Sequence, residues 1–249
     1  MEISEYKTMA QLEDRYWWYV GRRAIIQSVL SRHITSPVAH AVDLGCGTGA
    51  NFHILKKFAR NLTGLDTSED AITFCRARGI YDVRLITDPY HLAIESGSLD
   101  LVTLFDVLEH IEHDSRALQE LHRILRIKGL IAMTVPAYQF LWSEHDIALH
   151  HYRRYTLPNL TKRLKDAGFH IVQASYIISS TLPVIVLYRV LRGVMRRIFP
   201  KQPSSSHLVL PSFLNTLLTK VLILEAKLLS ICSLPAGTSI VILAQKNDY

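Results

Sequence analysis

The chain has 249 residues, 49% of them hydrophobic and 20% charged, with a formal net charge of +6. That is ample material for a core, sized for one large domain or a domain with an appendage. Cys46, Cys75 and Cys232 stand far apart without paired spacing, which argues against a zinc site or a disulfide framework and suits a reducing cytoplasm.

The acidic, polar stretch 1–14 lacks the features of a signal peptide. Charge divides along the chain. Residues 1–149 hold 15 Lys/Arg and 19 Asp/Glu, whereas residues 150–249 hold 13 against 3. The basic half suggests contact with something anionic, either a membrane surface or a nucleic acid.

Residues 9–30 have a helical pattern that carries Tyr16, Trp17, Trp18 and Tyr19, then Arg22 and Arg23. The aromatics read as packing against the domain, or as a lid or pocket wall that uses Trp17 and Trp18. Pro37 precedes a first strand ending at 41–44, and Gly45-Cys46-Gly47-Thr48-Gly49 leads into helical spacing over 51–58. A strand turning through glycines into a helix presents free backbone N–H groups and lets a ligand approach the main chain. A second strand, 61–65, ends at Asp66, and Thr67 or Ser68 can cap the next helix. A third strand at 83–86 ends near Asp88. A fourth at 99–105 runs into Asp106, a helix covers 115–125, and a fifth strand at 130–135 stops at Pro136. Strands alternating with helices at this spacing predict a parallel sheet covered on both faces, with ligands outside the carboxyl ends of its strands.

Gly45-x-Gly47-x-x-Ala50 with Asp66 downstream also satisfies the dinucleotide fingerprint. The fuller set separates the readings: Asp43 before the glycines, a third glycine at Gly49, Asp88 after strand three, and Gly97-Ser98-Leu99-Asp100 entering strand four. With VDLGCGTG, LTGLD, TDPYHL, SLDLVTLFDVLEHI and LRIKGLIAMTVP, the chain resembles the class I S-adenosylmethionine (SAM)-dependent methyltransferases over about residues 40–136. It is most similar to the group that contains quinone-biosynthesis methyltransferases.

The resemblance implies a Rossmann-like α/β fold with a mainly parallel seven-stranded sheet, an N-terminal helical lid and SAM as cofactor. Gly45, Cys46, Gly47 and Gly49 would line its methionine and ribose portions, with Asp43 near the amino group. Asp66, with Thr67 beside it, would accept the ribose hydroxyls, because a carboxylate takes two donors at once. Asp88 and Pro89 would face the adenine. Phe105 and Asp106 would flank the transferred methyl. Pro89-Tyr90-His91 departs from the small and acidic residues common there. The acids and histidines of 108–114 could be imagined around a metal, but read better as a solvated surface with one packed His, so no metal is expected.

On the acceptor side, an oxygen nucleophile must lose its proton, and histidine is the usual base. His145, His150 and His151 follow strand five, and Asp146 could orient one of them. Arg153, Arg154 and Tyr155 could hold an anionic group, or the stretch could be a polar loop stapled by its own His–Asp and Arg–Tyr contacts. A further helix spans 156–168, strand six 169–175 and the last strand 239–244. About 60 residues intervene where this fold normally has a short hairpin.

Residues 177–188 are apolar but too short for a membrane span, which needs about 20 residues. Arg189, Arg192, Arg196 and Arg197 then share one helical face, and a second amphipathic helix is predicted from Phe213 to Leu229. The insertion reads as an interfacial helix pair on anionic lipid or as a hairpin against the core or a second subunit. The organisation expected is a lid over 1–36, a SAM-binding core over 37–176, an insertion over 177–236 and the last core strand over 237–249.

The activity expected is methyl transfer, with O-methylation favoured, to a small amphiphilic or lipid-linked acceptor, in the cytoplasm and peripherally at the inner face of a membrane. The alternatives are a soluble acceptor with the insertion as lid or homodimer interface, and a SAM-fold binding protein without catalysis. A nucleic-acid partner is not expected, because the aromatics of the basic segment do not alternate with cations.

Overall fold

The computed structural model describes residues 3–187 and 210–247. Two helices, α1 (Ile3–Leu12) and α2 (Trp17–His33), precede the sheet. The continuous helical run expected over 9–30 is broken at 13–16, where Glu13 turns inward and accepts hydrogen bonds from Thr48 and Arg78.

The sheet then builds as β1 (Val38–Leu44), α3 (Phe52–Leu55), β2 (Ala59–Asp66), α4 (Glu69–Ala77), β3 (Val83–Leu85) and β4 (Leu99–Phe105). It continues through α5 (Asp114–Ile124), β5 (Leu125–Pro136), α6 (Glu144–Ala148), α7 (Leu157–Asp166), β6 (Phe169–Ile177), α8 (Ser212–Leu229) and β7 (Ser239–Lys246). Ser68 caps α4 through its side chain, and Thr156 caps α7 in the same way. β5 is longer than expected, because α5 runs straight into it and the Lys128-Gly129 turn lies within the strand.

The seven strands lie in the order β3-β2-β1-β4-β5-β7-β6. β1 to β5 pair in parallel, and β7 runs antiparallel between β5 and β6. The order reverses at β1 and β4, which places the glycine turn after β1 at the crevice where open α/β sheets bind ligands. Every residue of β4 is buried, as a central strand covered on both faces requires. One core cluster joins Ile25, Ile26 and Leu30 of α2 with Phe52, Ile72 and Leu222. The other joins Leu118 and Leu121 of α5 with Leu160, Leu164 and Phe169.

The second insertion helix forms as α8 and lies against α2. Leu222, Ala226 and Leu229 are buried there, and Ser28 Oγ donates to the Ala226 carbonyl at 2.7 Å. At the helix start, Asn215 accepts from Trp17 N at 2.9 Å and donates to Arg15 O at 2.8 Å. Gly21 permits this approach, since a Cβ on it would sit 2.5 Å from the Cβ of Leu222. Arg189, Arg192, Arg196 and Arg197 lie outside the described residues. Among the described residues no helix is long and apolar enough to cross a membrane.

Candidate active site

A cleft of about 250 Å³ opens beyond the carboxyl ends of the central strands, lined by Gly45, Asp66, Thr67, Pro89, Val107 and His110 among others. The turn after β1 shapes it. Gly45, Gly47 and Gly49 have φ of +67°, +55° and +81°, in the left-handed region where a side chain is strained. At Gly45 a Cβ would also come within 2.4 Å of Val107, and at Gly49 within 2.6 Å of Ile80. Beside Gly47 the nearest neighbour is Met9 at 3.8 Å. Two of the glycines therefore allow close packing, and the third leaves the main chain open.

Asp66 ends β2 buried, accepting from Gly47 N at 2.8 Å and Ser68 N at 3.0 Å. Burial pushes its carboxyl upward and these N–H groups oppose the shift. A carboxylate has about four lone-pair sites, so these N–H groups do not exhaust its capacity to accept. Asp43, 1% exposed, accepts from Thr103 Oγ1 at 2.6 Å with one oxygen, while the other has no partner among the described residues. Burial lifts its pKa to about 7, against the pull of the Thr103 hydrogen bond and Arg22. A buried carboxylate oxygen without a partner, beside a glycine cradle, suits a cationic amine.

Asp88 follows β3. Its carboxylate accepts from Tyr90 N and bonds His91 Nδ1, both at 2.7 Å, so it closes its own loop, while its neighbours Ile86, Pro89 and Tyr90 line the cleft. Cys46 is buried, with its Sγ 4.0 Å from that of Cys75, and packs under the turn. Phe105 is buried at the end of β4.

Asp106, at φ +57°, is held by Thr134 and ion-paired to Arg22. Arg22 is buried beneath the Trp18 ring, 4.7 Å from its centroid, and burial lowers its pKa to about 10. The α2 helix thus reaches the end of β4 through one cation. Trp17 is buried against α8, whereas Trp18 is the aromatic that faces Arg22.

The stretch after β5 is stapled by its own charges. Asp146, fully buried in α6, accepts from Ser143 N at 2.8 Å, from Arg154 Nε at 2.7 Å and from Arg154 at a second nitrogen, and bonds His151 Nδ1 at 3.0 Å. Burial alone would raise its pKa; the His151 and Arg154 bonds hold it well below the usual carboxylate range. Arg153 pairs with Asp114 at 3.0 Å. Tyr155 is 1% exposed and donates to Asp114 at 3.0 Å, so it is a core residue. His150 is exposed at φ +56°, and the His145 ring lies 6.4 Å from that of His151.

Two residues not anticipated as functional complete the site. His110, in the turn after β4, lines the cleft and meets the His151 ring edge-on at 4.6 Å between centroids. Burial lowers its pKa to about 3, so the ring is neutral. Glu109 is fully buried with neither oxygen hydrogen-bonded among the described residues, and burial raises its pKa to about 8. Donor atoms of Glu109, His110 and His151 lie within 4.8 Å of one another. The only sequence signal for them was an acid–histidine pair directly after a buried strand.

Residues 42–133 match the family model described as a methyltransferase domain. That match covers a little over a third of the chain, and over it the chain is similar to methyltransferase domains. A probable S-adenosylmethionine-dependent methyltransferase of Mycobacterium tuberculosis is 27% identical over 68% of this chain and 61% of its own length. The chain spans about three fifths of the length of such curated relatives. A ubiquinone biosynthesis O-methyltransferase of Xanthomonas oryzae is 22% identical over 69% of this chain and 82% of its own.

Among solved structures, a SAM-dependent methyltransferase of Thermotoga maritima superposes with a TM-score of 0.60 at 18% identity, covering 98% of this chain and 96% of that one. The cyclase SpnF superposes at 0.59 and 18%, covering 90% and 80%. At such identities the likeness establishes the fold alone, and a cyclase on the same fold shows that fold does not name a reaction.

Proposed function

We propose that this chain transfers a methyl group from SAM to a small amphiphilic or lipid-linked acceptor, most favourably at oxygen. Asp43, Asp66, Thr67 and the glycine turn would hold the cofactor, whose bound sulfonium supplies an electrophilic methyl. The residues at 1–36 act as the lid: Glu13 fastens it to Thr48 of the glycine turn, and Arg22 fastens it to Asp106.

The observation that carries the acceptor chemistry is the chain Asp146–His151–His110 behind the cleft wall. Asp146 fixes the proton on His151 Nδ1 and leaves Nε2 as an acceptor, so His151 can take, by way of the cleft-lining His110, the proton that an attacking hydroxyl gives up. Neutral His110 lines the cleft the acceptor would enter, and its fixed position would orient the nucleophile. An acceptor of mixed character fits a cleft whose lining joins Leu44, Ile86 and Ile111 with polar groups. Arg153 and Arg154, already paired to Asp114 and Asp146, serve as supports for this wall.

Calorimetry with S-adenosylhomocysteine tests the cofactor site. Binding is expected, and Asp66→Ala should abolish it. Equal binding by wild type and variant would overturn the site. Transfer of labelled methyl to a panel of prenylated phenols against water-soluble catechols then separates an amphiphilic from a soluble acceptor.

A further inference from the structure

The side of α8 turned away from α2 has the wrong chemistry for water. Its solvent face carries Phe213, Leu217, Ile223, Leu224 and Leu228, with Ile231 just beyond the helix end. Phe213, Leu224 and Ile231 are 72%, 67% and 79% exposed. An ordinary surface helix puts polar side chains there, and contiguous apolar rows of this length mark an interaction surface. The charged residues on the face are Lys220 and Lys227, both exposed. The one carboxylate of the helix, Glu225, is buried on the inner side and accepts from Ser179 N and Ser180 N.

Charge decides the occupant. A second copy of this chain would bring the same lysines into a shared apolar seam, with no carboxylate on the face to pair them, and an unpaired buried cation is costly. A surface of anionic phospholipid accepts both parts of the pattern. Acyl chains take the apolar row, phosphates take the lysine ammonium groups, and the long lysine stems reach up to the headgroups. The remaining sequence adds to the field. After Asp166 the chain has eight Lys/Arg and only Glu225 and Asp248 as acids.

We infer that the outer face of α8 docks on an anionic membrane surface, with the helix lying in the interface along its length of about 27 Å. The surface stands independently of the catalytic reading and deepens only its amphiphilic acceptor. Because α8 packs on α2, and α2 carries Arg22 to Asp106, docking sets the cleft beside the layer from which such an acceptor would come.

The test is sedimentation of the full chain with vesicles of phosphatidylcholine alone and of its equimolar mixture with phosphatidylglycerol. The wild type should pellet with the mixed vesicles and release at high salt. The double variant Leu217→Glu, Leu224→Glu should bind at least tenfold more weakly. Lys220→Glu with Lys227→Glu should erase the preference for phosphatidylglycerol. All four positions are exposed, so S-adenosylhomocysteine heats should match wild type, and a loss of those heats in every protein would count against the methyltransferase reading alone. No pelleting of the wild type, or equal pelleting of the leucine variant, overturns the proposal. So does a dimer in light scattering that the leucine variant splits.

Discussion

Substituting Gly21 by alanine tests the join between α2 and α8. In the middle of an isolated helix this change stabilises, by about 1 kcal/mol. Here the new Cβ would lie 2.4 Å from Cδ1, 2.5 Å from Cβ and 2.9 Å from Cγ of Leu222. Because the Leu222 Cβ is itself in conflict, no rotamer of that side chain relieves the clash. The helices must part by about 1 Å to reach ordinary contact at roughly 3.5 Å. Overpacking of this kind costs about 1–3 kcal/mol. Parting also stretches the Ser28–Ala226 and Trp17–Asn215 hydrogen bonds, each worth about 1 kcal/mol. Set against the propensity gain, the net loss is about 1–3 kcal/mol, or roughly 2–12 °C in Tm for a chain of this size. Urea unfolding followed by circular dichroism, with thermal melts alongside, measures it. A rise in the midpoint for Gly21→Ala would refute the close approach of the two helices.

Asp43 predicts a pH effect with a definite sign. Its folded pKa of about 7 lies above the ordinary carboxylate value, so the free protein keeps it neutral at lower pH, and its contribution to stability falls as pH rises towards 7. A bound ammonium needs the carboxylate, so affinity for S-adenosylhomocysteine should climb through pH 6 to 8, with proton release, and Asp43→Asn should flatten that climb in calorimetry. His151→Ala should lower kcat by about 100-fold or more while leaving S-adenosylhomocysteine affinity unchanged. An unaltered kcat would remove the ring from the proton path. Tyr155→Phe should cost about 1–2 kcal/mol in urea unfolding through loss of its bond to Asp114, with KM unmoved; a large KM change would return it to the acceptor pocket.

What could be read from the sequence was what is local along the chain. The glycine turn, the acids at the ends of β1 and β2 and the alternation of strands with helices each occupy a short window, and each follows from periodicity or turn chemistry. The charged stretch after β5 left two readings open, and the choice depended on partners such as Asp114, which lies 39 residues before Arg153. Pairings at long separation left no local mark. Arg22 meets Asp106 across 84 residues, and Glu13 meets Thr48 across 35. Nothing in the residues around Gly21 marks the approach of Leu222, which lies about 200 residues further along the chain. Glu109 and His110 were discounted as a solvated run because an alternating acid–histidine pattern is typical of surfaces; burial beneath residues 145–154 is a tertiary fact.

The position of β7 has a consequence for how the molecule is made. It is made after both β5 and β6, yet it lies between them and forms both of their antiparallel ladders. Until residue 239 emerges, β5 presents a bare edge and β6 has no neighbour at all. The nascent sheet can therefore settle only from β3 to β5, and strand six must wait for strand seven. Exposed, apolar strand edges of this kind invite pairing with other chains. Synthesis halted anywhere between residues 178 and 238 would hold such an edge open, and the eight-residue β7 closes it.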